Sequence, residues 1–587
     1  MKRINNMKRI ASASSLALAI AAFGVIASVS AASAGPDSGA IEVRLRQLES
    51  EIAKLRKEAR DAKAQAQSAA AAAQKSNVSN AAHVKAGDVH APPPVFVSFK
   101  NGLFVETEDK AYSFKVGGRL QIDGGGNTEP LNGWAGQTGF RRSRIEVEGR
   151  AAKYWFYKAQ ADFNGAPNGL TLGVWRDAYL GFEHPALTLP GVKDPIFIMI
   201  GSQYEPFNLE AINSSKYTDF IERAMMADTF GPYRHVGASI GAHGDNWTAK
   251  GGVYSTSFED AALNPTPNVP AAWGVLSGAG WVPTGGAQYY DFTGRLTYAP
   301  IKDEHNLLHL GIAGRYHRPN DATGASDDRE LRLGNRVRSE ANILNQSLLG
   351  TPDLSCGSVS VPYGVGAPFI RTGVAGHCVR DIFTFGVELA GSYGPFSIQA
   401  EYNGAQVNRN MTNVMLARMA NVFAPGGSSE YFSGWYVQGQ YWLTGEERVS
   451  AYSVKDRNGA TFEQIKIKNP LSAGGWGAWG LAARYSEVNL NSGGLQGSSL
   501  YNALALTTFV APNPAATALV ATSGINGGRQ ENVTVGLNWY PDNGFHFQAN
   551  WTHVLNVAAP LNGNASQGGF INGAHPNLFE ARAQVYW

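Results

Sequence analysis

Charge is scarce in this 587-residue chain: Asp, Glu, Lys and Arg make up only 16% of it, a composition that argues against a routine cytoplasmic enzyme. A basic excess is missing too. The chain carries 49 Lys and Arg against 47 Asp and Glu, and setting aside Lys2, Arg3, Lys8 and Arg9 leaves 45 against 47, a net of −2. Nucleic-acid binding is thereby excluded as a bulk-charge function, and any anion preference must come from local placement of Arg and Lys. Beyond the first 34 residues there is no apolar run of roughly 18 residues, so no transmembrane helix is available. No metalloprotease motif, phosphate-cradling Gly loop or nucleophile elbow occurs. His305 and His309 are four apart, but in a strand that spacing separates them by about 13 Å, and a turn-to-strand boundary suits them better than a metal site. No cofactor or metal is expected. Cysteine is limited to Cys356 and Cys378, both in a Gly/Pro-rich polar stretch. In an exported protein the pair reads as one disulfide pinning a long loop, with two unpaired thiols as the alternative.

Glycine and aromatics, by contrast, are plentiful: 68 Gly, 27 Phe, 23 Tyr and 13 Trp. The N-terminus reads as an export signal over residues 1–34, with a basic stretch through Arg9, an apolar run from Leu16 to Val29, and Ala32-Ser33-Ala34 as a small-residue cleavage site. Residues 35–76 form a candidate periplasmic coiled-coil helix. Its seam (Ile41, Leu45, Leu48, Ile52, Leu55, then Ala59, Ala62, Ala66, Ala69 and Ala73) follows alternating spacings of four and three, with charged residues on the other faces. A lone, frayed Ala-rich helix is the alternative, because Ala supplies little apolar area. Residues 77–94, ending in Ala91-Pro92-Pro93-Pro94, read as a linker.

From Val95 to Trp587 the period changes to two. Phe579, Ala581, Ala583, Val585 and Trp587 point one way, and Glu580, Arg582, Gln584 and Tyr586 the other, which is apolar-out and polar-in. The same alternation marks Phe114 to Ile122, Arg142 to Gly149, Tyr157 to Phe163, Ala178 to Phe182, His309 to Tyr316, Phe383 to Ala390, Phe396 to Tyr402, Tyr436 to Trp442, Trp479 to Tyr485, Val533 to Trp539 and Phe545 to Trp551. Such segments, flanked by aromatics and separated by turns, predict an all-β fold, a transmembrane antiparallel β-barrel over residues 95–587. A soluble β-sandwich would also alternate, but fits the export signal and the aromatic-ended last segment less well. Short links at Pro300 to Asn306, Ser392 to Pro395, Leu443 to Arg448 and Pro541 to Gly544 should face the periplasm. The stretches 259–289, 319–380, 403–430 and 490–528 should face outward. The 493 residues from Val95 give about 31 per strand and connection for about 16 strands, with 18 left open. A barrel of that size encloses water, which makes transport the expected function.

Several segments resemble one family. Lys100-Asn101-Gly102-Leu103-Phe104-Val105 and Tyr112 through Asp123 are similar to the opening of phosphate-selective porins of the O and P type. Phe140-Arg141-Arg142, Leu209-Glu210 with Ser214-Ser215-Lys216 and Glu222-Arg223, Leu443-Thr444-Gly445-Glu446, and Leu537-Asn538-Trp539-Tyr540 follow in the same order. The resemblance implies a homotrimer of 16-stranded barrels in outer-membrane lipid, constrictions made by infolded loops, an Arg-rich anion path, and a phosphate site in some members. It places Arg119, Arg141, Arg142 and Arg223 on the anion path. Arg329, Arg332, Arg336 and Arg338 would form a vestibule collector, interspersed with Asp327, Asp328, Glu330 and Glu340. One departure stands out: the Lys that the phosphate-specific members carry after Leu-Glu is Ala211 here.

The residues support an anion path on their own. If Ile145 and Val147 face lipid, then Arg142, Arg144, Glu146, Glu148 and Arg150 face the lumen, since a charge on the lipid face costs about 2–4 kcal/mol at the midplane. Arg119 and Gln121 face inward by the same rule. Pairing of these Arg with nearby acids across the wall is the competing reading, strongest for Arg144 and Arg150. The expected function is a water-filled, anion-favouring outer-membrane porin for passive diffusion of small hydrophilic solutes, possible substrates being phosphate and other oxyanions. A structural tether to peptidoglycan through the coil, or an outer-membrane hydrolase, are the alternatives.

Overall fold

The computed structural model describes residues 94–99, 102–127, 136–164, 174–255, 290–319, 378–414, 426–493, 524–558 and 575–587, together with isolated positions between them. The export signal, the linker to residue 93 and all of the heptad stretch except Lys57 lie outside the described residues. The strands, in chain order, are β1 (Val95–Phe99), β2 (Leu103–Thr107), β3 (Ser113–Asn127), β4 (Gln137–Ala151), β5 (Trp155–Asp162), β6 (Val174–Thr188), β7 (Pro195–Tyr204), β8 (Arg234–His243), β9 (Trp247–Tyr254), β10 (Tyr290–Lys302) and β11 (Asn306–Arg318). They continue as β12 (Ser360–Val361), β13 (Thr372–Gly373), β14 (Val379–Tyr393), β15 (Phe396–Arg409), β16 (Ser429–Trp442), β17 (Tyr452–Ser453), β18 (Thr461–Phe462), β19 (Ala478–Ser492), β20 (Ile525–Tyr540), β21 (Phe545–Ala558) and β22 (Asn577–Tyr586). Two short helices, α1 (Leu209–Ile212) and α2 (Met225–Phe230), lie between β7 and β8.

Sixteen strands close into a barrel. Each pairs antiparallel with its neighbour in sequence, setting aside the two-residue ribbons β12–β13 and β17–β18, and β22 returns to β3 with Leu578 opposite Asn127 and Tyr586 opposite Arg119. Closure leaves no edge within the wall, which a bilayer requires. The barrel proper begins at Ser113. Upstream, β2 pairs with the first residues of β3, and β1 pairs only with β2.

Alternation sets the two faces. On β10 the side chains of Phe292, Leu296 and Tyr298 stand about half exposed while Asp291, Thr293, Arg295 and Thr297 are buried inside. The same inversion of the soluble pattern runs along β22, where Phe579 is exposed and Glu580, Arg582 and Gln584 are buried. An apolar outer surface of this kind is stable only in lipid. Exposed aromatics gather at both rims. Phe140, Tyr290, Tyr316, Phe383, Tyr431 and Phe579 mark the end with long connections, and Tyr298, Tyr393, Phe396, Tyr441 and Phe545 the other.

Connection lengths follow the expected sidedness with one correction. The turns at 303–305, 394–395 and 541–544 are short; at the second, Gly394 takes φ +52°, a left-handed conformation that side chains disfavour. The link expected at Leu443 to Arg448 is not a short one. β16 ends at Trp442 and the next wall strand, β19, begins at Ala478. The intervening residues turn back into the barrel, because Val449, Ala451, Tyr452, Val454, Ala460 and Phe462 bury apolar surface there that a rim turn would expose to water.

Candidate pore constriction

The connection from β7 to β8, residues 205–233, has no exposed residue. A surface loop cannot do this, since its backbone would lack water. The segment instead runs inside the barrel, and its backbone groups find partners on the wall. Gln121 Nε2 donates to Ser215 O (2.9 Å), Gln584 Nε2 to Lys216 O (2.9 Å), Gln548 Nε2 to Thr218 O (3.0 Å) and Asn538 Nδ2 to Asp219 O (2.8 Å). Arg582 Nη1 donates to Ile221 O (2.7 Å) and Arg484 Nη1 to Glu222 O (3.1 Å). The inward amides and guanidiniums of β3 and β19–β22 thus form a ladder that holds an irregular chain in place. At the segment's near end, Glu401 on β15 accepts from the Leu209 and Glu210 amides (both 2.8 Å) and from Tyr436 Oη (2.5 Å). That carboxylate fastens the start of α1, whose first amides lack partners within the helix.

A second segment enters from the opposite end. Residues 448–462 meet the first through Arg448 to Asp219 (2.8 Å) and through the Phe462 amide donating to Asn213 Oδ1 (2.9 Å). It is anchored to the wall by Tyr452 with His309 (2.8 Å), by Arg295 donating to Ala460 O (3.2 Å), and by Arg457, which pairs with Glu183 (3.1 Å) and lies 3.8 Å over the Phe156 ring. Leu209, Val449, Tyr452, Val454, Ala460 and Phe462 share an apolar cluster with wall residues Ala299, Leu307 and Ala390. The two segments together narrow the lumen.

The predicted anion-path residues fall at this constriction with different surroundings. Arg119 donates to Ser215 Oγ (2.8 Å) and stands 4.0 Å from Glu146. A bulge between Gln121 and Ile122 of β3 leaves Arg141 as the extra residue of β4. Such a bulge lets adjacent side chains share a face, and Arg141 reaches Glu222 through two bonds (2.7 and 3.1 Å) while Arg142 also points inward. Arg142 Nη1 donates to Gln121 Oε1 (2.8 Å), and among the described residues it makes no salt bridge. Arg223 is held by its own segment. It donates to Glu210 O and Asn213 O (both 2.8 Å) and lies over the Tyr233 ring, bracing the loop itself. Arg144 pairs with Asp162 (2.7 Å) and Arg150 with Glu183 (2.5 Å). Arg329, Arg332, Arg336, Arg338 and Cys356 lie outside the described residues; Cys378 is buried and disulfide-bonded.

Three charged residues that the sequence reading did not single out complete the constriction. Arg582 joins Asp123 (2.7 Å twice) and Glu222 (3.2 Å); Arg484 lies near Glu210 (3.4 Å) and Glu340 (3.6 Å). Lys158 pairs with Glu146 and Glu148. Lys216, on the loop, contacts Glu146 at 2.6 Å. Burial and the nearby Arg119 charge depress its ammonium to about 8, against the opposing pull of Glu146. Ala211 is buried in α1, and a β-carbon placed on Gly231 would lie 3.3 Å from its own.

A closed 16-stranded wall with lipid-facing aromatics, a polar lumen and an infolded constriction defines an outer-membrane porin channel. The chain belongs to the family described as phosphate-selective porin O and P, whose model matches residues 114–587. It is 26% identical over 403 residues to Porin O of Pseudomonas aeruginosa, covering 68% of this chain and 77% of that protein. An uncharacterized protein of Caulobacter vibrioides is 24% identical over 414 residues, covering 69% and 67%. Among solved structures, an anion-selective porin from Comamonas acidovorans superposes with TM-score 0.38 at 7% identity over 81% of this chain and all of that one. OmpT of Vibrio cholerae gives 0.39 at 11% over 81% and 98%.

Proposed function

We propose that the channel is passive and anion-favouring, without enzymatic activity, and that Arg119, Arg141 and Arg142 present the positive face solutes meet at the constriction. The observation that carries this reading is Arg142. It sits beside Arg141 with an amide, not a carboxylate, as its hydrogen-bond partner, so its charge is available to a passing anion. The other cations are largely balanced by acids, so the attraction is general and modest.

Specific phosphate capture is expected to be weak. The family's Lys is replaced by Ala211, and the loop's ammonium, Lys216, is engaged by Glu146. A phosphate would have to compete with that carboxylate for its donor. Zero-current potentials in a KCl gradient test the reading, with phosphate titrated against the chloride current. Anion preference with block only at high phosphate is the expected result, and cation preference overturns it. The family resemblance further implies a homotrimer. A heat-labile oligomer band that collapses to monomer on boiling is expected, and a monodisperse monomer in mild detergent would contradict it.

A further inference from the structure

We propose that Glu205, His235, Asp291 and His317 form a binding site for a divalent transition-metal ion of the zinc type. Glu205 is the first residue beyond β7, and His235 is the second residue of β8, so the pair brackets the constriction segment 205–233. Asp291 is the second residue of β10 and His317 the penultimate one of β11. All four side chains are 1% exposed or less. One donor atom from each of Glu205, His235 and Asp291 lies within 4.8 Å of the other two, and His317 Nδ1 is 2.6 Å from Asp291 Oδ1.

Two imidazoles and two carboxylates are a donor set suited to zinc. Tetrahedral ligands at about 2.1 Å from an ion stand about 3.4 Å apart, so the two His–carboxylate pairs, now 2.5 and 2.6 Å, would open by about 1 Å while the wider separations within the cluster close. The carboxylates are already oriented for it. Arg315 reaches their far oxygens, Asp291 Oδ2 at 2.6 Å and Glu205 Oε2 at 3.4 Å, and Thr293 Oγ1 donates to Glu205 Oε2. The near oxygens, Glu205 Oε1 and Asp291 Oδ1, face His235 Nδ1 (2.5 Å) and His317 Nδ1 (2.6 Å). Outer groups that fix ligand orientation in this way are a regular part of metal sites. With neutral imidazoles the cluster holds two carboxylates against one guanidinium, one net negative charge in a buried place. A proton could satisfy one His–carboxylate pair, whereas a dication draws on the three converging donors of Glu205, His235 and Asp291, with His317 held beside Asp291 as a fourth. A bound ion would cross-link both roots of the constriction segment to β10 and β11.

The test uses the full-length protein in detergent, stripped with EDTA. Cobalt added alone should give the visible absorption bands of a tetrahedral ion at one per chain, and zinc should displace it. The double variant His235→Gln/His317→Gln, checked for unchanged heat-modified migration, should weaken binding by at least about tenfold, and Asp291→Asn should do the same. Absence of saturable cobalt or zinc binding, or binding unchanged in the double variant, would show that the cluster holds only protons and overturn the proposal. The readout is spectroscopic, so its failure leaves the channel's anion preference untouched.

Discussion

Replacing Arg142 with Gln isolates a constriction guanidinium that has no carboxylate partner among the described residues and, unlike Arg223, does not brace the loop backbone. The amide can keep the hydrogen bond to Gln121, so the loop ladder and the bulge at Arg141 should survive while one positive charge is lost. A unit charge about 5 Å from a passing anion contributes about 1–3 kcal/mol for an effective dielectric between water and a protein surface. The lumen is wet, so the lower end applies, and 1 kcal/mol corresponds to roughly fivefold in relative permeability. Zero-current potentials measured in a shallow KCl gradient near 0.1 M should therefore show the chloride-to-potassium ratio falling about fivefold, with single-channel conductance little changed. Near 1 M salt the effect should largely vanish, because the Debye length falls to about 3 Å. Arg582→Gln is the contrast. It strips Asp123 of both bonds and the loop of its Ile221 anchor, so selectivity and thermal stability should change together. An Arg142→Gln channel with unaltered selectivity at low salt would refute the reasoning.

The Lys216 ammonium titrates near 8, below the ordinary range, so it is charged at pH 7 and loses its proton as pH rises. Anion preference should decline between pH 7 and 9, and Lys216→Met should flatten that dependence of the zero-current potential. Glu401→Ala removes the acceptor of two α1 amides and of the Tyr436 hydroxyl. Leaving such buried donors unpaired costs about 1–3 kcal/mol each, and the freed segment should produce larger, noisier single-channel currents. Replacing residues 450–466 with a short turn should raise conductance by removing the second infolded segment, with the heat-modified band intact.

The wall was legible because alternation is a local signal. Each segment read as apolar-out and polar-in falls on a wall strand, within a residue at the ends. Four strands escaped. β7 carries the run Ile196-Phe197-Ile198-Met199-Ile200, apolar on both faces, since Phe197 and Met199 pack inward in a cluster with Phe156. β8 and β9 are interrupted by Gly237, Gly241, Gly251 and Gly252, which carry no side chain to mark a face. β10 does alternate, but its inward face mixes Thr with charge and its neighbours gave no register. Arg141 shows the limit of the period-two rule: alternation puts it on the lipid face, and only the bulge, a property of the pairing with β3, turns it inward.

The constriction was less legible for a reason that lies in its energetics. Its fixed points are not motifs but single wall residues, Gln121, Gln548, Gln584 and Asn538, each of which reads from sequence only as a polar side chain facing a polar lumen. Their significance is the carbonyl each one satisfies, and those carbonyls belong to a segment hundreds of residues away for all but Gln121. The infolded chain could not stay dry without them, because each buried carbonyl left unpaired would cost about as much as the bond itself supplies. Selectivity in such a pore follows from what remains after the loop has been secured. Arg223, Arg484 and Arg582 spend guanidinium hydrogens on loop carbonyls, Arg141 is tied to Glu222, and Arg142 makes no salt bridge among the described residues. Counting arginines along the wall therefore overstates the anion field. The quantity that governs permeation is the number left after backbone and carboxylate claims are met, which makes a single substitution at Arg142 weigh more than its share of the lumen's cations.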